Sequence, residues 1–123
     1  MLAVVPSFGC AAEVYGAATI TWTIEGSSEP ALCATRGVDT VRIEVAHDDG
    51  TFEADDRLPC RASSARYVLR QGWYVVTLTF LDAAGAPRAG PRRTGSFHVT
   101  AGRDTFVTID TVIAETPGGG GGI

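Results

Sequence analysis

Five carboxylates fall within nine residues, at Asp48, Asp49, Glu53, Asp55 and Asp56. A Ca²⁺ ion needs several such oxygens converging on one point. Their spacing is not that of an EF-hand loop, and only Gly50 supplies a kink, so the stretch reads as a solvated hairpin tip, with calcium as the functional alternative. His47 and His98 are the only histidines. Zinc binding or catalysis would need them to meet thiol or carboxylate partners. Each takes an outward position in its strand pattern, which reads as a surface histidine. A Cys–His nucleophilic pair would need a free thiol. No serine occupies a nucleophile-elbow context, and the glycine run at 118–122 lacks the lysine and following helix of a phosphate loop. These residues predict a chain that is not an enzyme and carries no metal or other cofactor. Arg88, Arg92 and Arg93 form a basic loop that would either dock an acidic partner or polysaccharide or balance the acidic hairpin. Trp73 would be either an aromatic platform for sugar or a ring packed against a second sheet or loop.

Cys33 and Cys60 bracket one hairpin excursion and lack any metal-ligand spacing. They read as a structural disulfide, and a structural disulfide points outside the cytosol. Closing a loop of about 28 residues contributes roughly 3.5 kcal/mol in the chain-entropy treatment. Cys10 stands apart at the end of MLAVVPSFGC. Leu2 to Val5 resemble the end of a signal-peptide apolar region, and Ser7-Phe8-Gly9-Cys10 a degraded lipoprotein cleavage box, with Ser7 where leucine is usual. Nine residues without a positive start are too few for a whole signal, so Met1 reads as an internal start or a truncation. Cys10 is therefore a lipidation site, an incidental cysteine in a tail, or half of an intermolecular disulfide.

The elements that must hold these groups are strands. The chain has 123 residues, enough for one domain with its own core. Its net charge of −4 and pI near 5.0 argue against nucleic acid or an anionic membrane surface as the main partner. No stretch approaches the ~20 apolar residues of a membrane span. All ten basic residues are arginine, and asparagine is absent, so no Lys–Asn isopeptide crosslink can form. Residues 17–25 alternate, with Ile20, Trp22 and Ile24 on one face and threonines on the other. Residues 38–46 alternate next, with Val41, Ile43 and Val45 inward. Asp48-Asp49-Gly50 turns the chain into a short return strand at 51–54, which Asp55-Asp56 ends. Further strands are predicted at 65–70, 73–81, 96–100 and 104–112. Apolar residues on both faces of 73–81 mark a central strand, and Phe97 and Val99 should pair with Val107 and Ile109. Seven short strands at this spacing predict an all-β sandwich or small barrel. Trp22, Val41, Ile43, Val45, Tyr74, Val76, Leu78, Phe80, Phe97, Val99, Val107 and Ile109 should build its core. Residues 1–16 read as a signal remnant or tail, 17–113 as the β-domain, and 114–123 as a glycine-rich tail.

The segment VLRQGWYVVTLTFLDAAG at 68–85 resembles the L-x-x-G-x-Y-x-V signature, followed by Asp and Gly, of prealbumin-like domains. These include the carboxypeptidase regulatory-like and Cna-B-type β-sandwiches. Leu69, Gly72, Tyr74, Val76, Asp82 and Gly85 carry the match. The resemblance covers roughly 17–113 and implies an antiparallel seven-stranded Ig-like or prealbumin-like sandwich with one disulfide. The surroundings of Cys33 and Cys60 are similar to extracytoplasmic lipoprotein domains of GC-rich bacteria such as myxobacteria. The immunoglobulin Cys…Trp…Cys order is absent, because no tryptophan lies between Cys33 and Cys60.

Together these readings predict a non-catalytic extracytoplasmic sandwich, at the outer membrane, periplasm or cell surface, acting in adhesion, scaffolding or binding. Its partner would be a protein or polysaccharide of the cell envelope, not nucleic acid, with membrane attachment only through a lipid on Cys10. The alternative is a fibre or pilus-like subunit that polymerises by strand addition through its N-terminal segment.

Overall fold

A computed structural model describes residues 14–113. Cys10, the cleavage-box remnant and the glycine run lie outside the described residues. The elements run β1 (Tyr15–Ile24), α1 (Ala31–Thr35), β2 (Thr40–His47), β3 (Phe52–Pro59), a 3-10 turn (Cys60–Ala62), β4 (Ser64–Arg70), β5 (Gly72–Leu81), β6 (Arg92–Arg93), β7 (Phe97–Val99) and β8 (Asp104–Thr111). They form two sheets. One has the order β4-β1-β8; the other has the order β3-β2-β5-β6, with β7 also on β5.

The described strands number eight rather than seven. The extra one, β6, contributes only the pairs Thr77–Arg93 and Leu78–Arg92, too short for alternation to reveal. β3 runs on through Asp55 and Asp56 to Pro59 instead of ending at Ala54. As an edge strand it can carry charge and a terminal proline without losing inner ladder bonds. Cys33 lies in the one-turn helix α1, not in a loop. The sheets are not wholly antiparallel: β1 and β8 run parallel, with Ala17 beside Asp104 and Ile24 beside Thr111.

β7 and β8 do not form the expected hairpin. β7 pairs with β5 and β8 with β1, so the chain changes sheets between Val99 and Asp104. Gly102, at φ +76°, makes this corner, a backbone that glycine adopts without a Cβ clash. Gly16 packs beneath it, where a Cβ would strike the Thr100 carbonyl. β1 therefore begins at Tyr15 and includes a residue that composition alone would leave in the tail.

Both sheets share one core. Every residue expected there is buried except Phe97 and Val107, which are half-buried and pack against it. β5 is central, with β2 on one side and β6 and β7 on the other. Tyr74, fully buried at its start, donates its hydroxyl to the Arg70 carbonyl at 2.6 Å. This bond ties the end of β4 to β5 where the chain passes from one sheet to the other.

Cys33 and Cys60 are disulfide-bonded, with Cα atoms 5.9 Å apart, a separation such a bridge accommodates. The bond joins α1 to the 3-10 turn just beyond the open end of the β2–β3 hairpin, where Cys60 N–H also bonds the Asp39 carbonyl. Trp22, on neighbouring β1, donates its indole N–H to the Cys60 carbonyl at 2.8 Å in a buried setting. A tryptophan thus reaches the disulfide from outside the Cys33–Cys60 loop. Trp22→Phe keeps an aromatic ring but removes one of two donors to that carbonyl, the other being the Ser63 N–H at 3.2 Å. The lost bond is expected to cost about 0.5–1.5 kcal/mol, read as a lower urea midpoint at unchanged slope.

Candidate functional site

The acidic cluster does not converge. A bulge between Val45 and Ala46 leaves Glu53 unpaired in the ladder, and Glu53 meets His47 Nε2 at 2.7 Å. Asp55 accepts a two-pronged bond from Arg42, at 3.0 and 2.8 Å. Asp56 turns to the other face of β3 and accepts from the Tyr67 hydroxyl at 2.9 Å. Asp49 accepts the Thr51 N–H at 2.9 Å within the turn. Alternation along β3 and the turn geometry thus send these carboxylates to different partners. Among the described residues, no three His, Cys, Asp or Glu side chains are grouped to hold a metal ion.

These pairings set the acid response. The Arg42 guanidinium holds the Asp55 carboxyl below its ordinary range. Bonds from the Thr23 hydroxyl and Gly26 N–H do the same for Asp110, and the Thr51 N–H for Asp49. A carboxyl lowered on folding stabilises the fold above its unfolded pKa, and that contribution disappears as pH falls through the lowered folded value. Urea midpoints should therefore fall below about pH 4. Asp110→Asn should shrink that acid limb; an unchanged limb would contradict the assignment.

The arginine loop does not act as one patch. Arg88 directs its Nε and one terminal nitrogen to the Arg36 carbonyl, at 3.1 and 2.9 Å, packed against Gly37. Arg92 reaches across to β8 and donates to the Asp110 carbonyl at 3.2 Å. Arg93 sits on the outer face of the five-stranded sheet, beside Thr77, and makes no hydrogen bond or ion pair among the described residues.

Trp73 lies on that same outer face and is 52% exposed. His98, its partner across the β5–β7 ladder, packs edge-on against it at 4.9 Å. Next along β5 on this face comes Val75, which is buried. Beyond Val75 lie Ala46 on β2 and then Phe52 on β3, in ladder order. Phe52 is 66% exposed. It stands outward because of the bulge: an uninterrupted β3 would set Glu53 opposite Ala46 and turn Phe52 toward the core. Beside Phe52 is a shallow depression of about 210 Å³, lined by Glu44, Ala46, His47, Gly50, Phe52, Val75, Thr77 and Arg93, with Trp73 on the same face outside it. The face therefore combines two exposed aromatic rings, an apolar floor, a threonine hydroxyl, a carboxylate and an arginine with no described partner. Trp73 and Arg93 were legible in the sequence as candidates. Phe52 was not, because nothing in the local residue types marks the bulge.

A larger depression of about 310 Å³ lies beside the disulfide, lined by residues including Pro30, Cys33, Val38, Asp39 and Arg61. It offers no aromatic ring and no converging catalytic groups.

No family model matches the chain, and no curated protein matches it significantly. Among solved structures, the chain is similar to part of a leucine-rich repeat protein from Bacteroides thetaiotaomicron, at 18% identity and a TM-score of 0.46 over 83% of this chain. The match spans 14% of that protein's length. A likeness this distant assigns neither a fold type nor an activity.

Proposed function

We propose that this chain is a non-catalytic, extracytoplasmic β-sandwich of the prealbumin-like type that binds a polysaccharide of the cell envelope through the outer face of its five-stranded sheet. The observation that carries the reading is the pair of exposed rings, Trp73 and Phe52, on one face with Arg93, Glu44 and Thr77. Sugar rings present C–H faces that stack on aromatics and hydroxyls that need nearby polar partners, and this face offers both. The unpaired Arg93 suits an acidic sugar. The disulfide is compatible with a location outside the cytosol, and no described helix is long and apolar enough to cross a membrane. The sandwich type is supported by the single core between two sheets and by the Tyr74–Arg70 bond, which is built like the tyrosine corner of Greek-key sandwiches.

Affinity electrophoresis through gels containing envelope polysaccharides tests this reading. The natural chain should be retarded by at least one acidic glycan, and Trp73→Ala should lose most of that retardation while remaining folded. Equal retardation of the two would remove the proposed site. The fibre-subunit reading would donate a strand from about residues 11–18; residues 15–18 are paired within this chain as the start of β1, and residues 11–13 lie outside the described part.

A further inference from the structure

We propose that the exposed edge of β8 is an interface with a second copy of this chain, paired antiparallel about a two-fold axis at Phe106. The inference is independent of the polysaccharide reading.

The free edges of the two sheets differ. β3 is blunted by charge at Glu53, Asp55, Asp56 and Arg57, by its bulge and by Pro59. β4 carries Arg66 and Arg70, and Tyr67 ties it to β3 through Asp56. β6 and β7 have only two and three residues. These are the usual protections against edge-to-edge pairing. β8 has eight residues, DTFVTIDT, with no proline and no basic side chain; its two carboxylates are held within the chain, Asp104 by Thr19 and Arg66 and Asp110 by Thr23. Phe106 is 74% exposed on it.

The backbone of β8 is set for a partner. Arg103 and Thr111 turn their carbonyls to β1, bonding Ala17 and Glu25. By strand alternation, Asp104, Phe106, Thr108 and Asp110 turn their N–H and C=O groups the opposite way; of these the Asp110 carbonyl already accepts from Arg92, so the open stretch is 104–108. No partner strand lies there among the described residues.

The occupant follows from register. Pairing centred on Phe106 sets it opposite its own symmetry mate and sets Asp104 opposite Thr108. An aromatic pair and a carboxylate–hydroxyl pair are both favourable cross-strand neighbours. This sheet already uses the second kind, in Thr19–Asp104 at 3.0 Å and Thr23–Asp110 at 2.6 Å. A centre at Val107 would put Asp104 opposite Asp110, two like charges. A centre at Thr108 would put Phe106 opposite Asp110. The segment is thus self-complementary in one register, the condition for an isologous interface. The axis of such a pair stands perpendicular to the joined sheet. Both protomers then turn their five-stranded sheets, with Trp73 and Phe52, to the same side.

Cysteine scanning of the full chain in a Cys10→Ser background tests the interface. Under mild oxidation Phe106→Cys should be trapped mostly at twice the monomer mass, because residue 106 faces itself. Asp104→Cys with Thr108→Cys should also crosslink, whereas the exposed controls Phe52→Cys and Val112→Cys should not. Sedimentation equilibrium should give the natural chain a concentration-dependent mass and Phe106→Arg a monomeric one, with native tryptophan fluorescence retained. A natural chain that stays monomeric, as it would if its own residues 1–13 covered this edge, would overturn the proposal. So would crosslinking of Phe106→Cys no faster than the Phe52→Cys control.

Discussion

Tyr74→Ala is expected to lower the unfolding free energy by about 3–5 kcal/mol, the cost of removing a large buried aromatic. The side chain is fully buried on the central strand. Its ring lies 6.5 Å from Phe97 and 4.7 Å from His47, which shares the core-facing side of the ladder with Tyr74 and does not take the outward position its strand pattern predicts. Its hydroxyl also satisfies the Arg70 carbonyl at the crossing between sheets. Tyr74→Phe separates the two contributions: it keeps the ring, strands the carbonyl and should cost about 1–3 kcal/mol. Urea unfolding of the three proteins measures both. A loss under about 1 kcal/mol for Tyr74→Ala would mean that the site collapses around the missing ring and that the corner does not fix the two sheets.

The second large effect belongs to the disulfide. Cys33→Ala with Cys60→Ala is expected to cost roughly 3.5 kcal/mol, with strain or residual structure moving the value within a range of about 2–5. The bridge ties α1, a helix of one turn, to a 3-10 turn. Neither has the length to hold itself. Cys60 is 1% exposed, beneath the Trp22 indole, so its loss also disturbs the packing between the sheets. Typical domains have only about 5–15 kcal/mol to lose. The reduced chain should therefore be markedly less stable in a reducing compartment. Equal urea midpoints with and without reductant would show that the β2–β3 ladder alone holds this end.

Much of the fold was legible because the core is written in period two. Val41, Ile43 and Val45, and Tyr74, Val76, Leu78 and Phe80, each declare one face of a strand, and all are buried. What alternation cannot declare is which strands pair. Phe97 and Val99 have the right pattern to join Val107 and Ile109, yet the Thr100–Arg103 corner sends β8 to pair in parallel with β1. That choice depends on Gly16 and Gly102, whose lack of a side chain gives no hydrophobic signal. The site shows the same divide. Trp73 and Arg93 are distinctive residue types that stand out in the sequence. Their separation from Arg88 and Arg92 depends on which way each side chain leaves an irregular segment. Phe52 reaches the same face only through a one-residue bulge.

The most direct test of the binding proposal uses the two tryptophans of the chain. Each gives one indole N–H resonance, from a ring buried against the disulfide at Trp22 and from a half-exposed ring at Trp73. Titrating the uniformly ¹⁵N-labelled chain with acidic envelope polysaccharide should shift the Trp73 indole and the backbone signals of Phe52, Val75, Thr77 and Arg93. The Trp22 indole should stay in place. Failure of the Trp73 signal to move with any such polysaccharide, or shifts gathered instead around Asp39 and Arg61 beside the disulfide, would contradict the assignment of this sheet face as the binding surface.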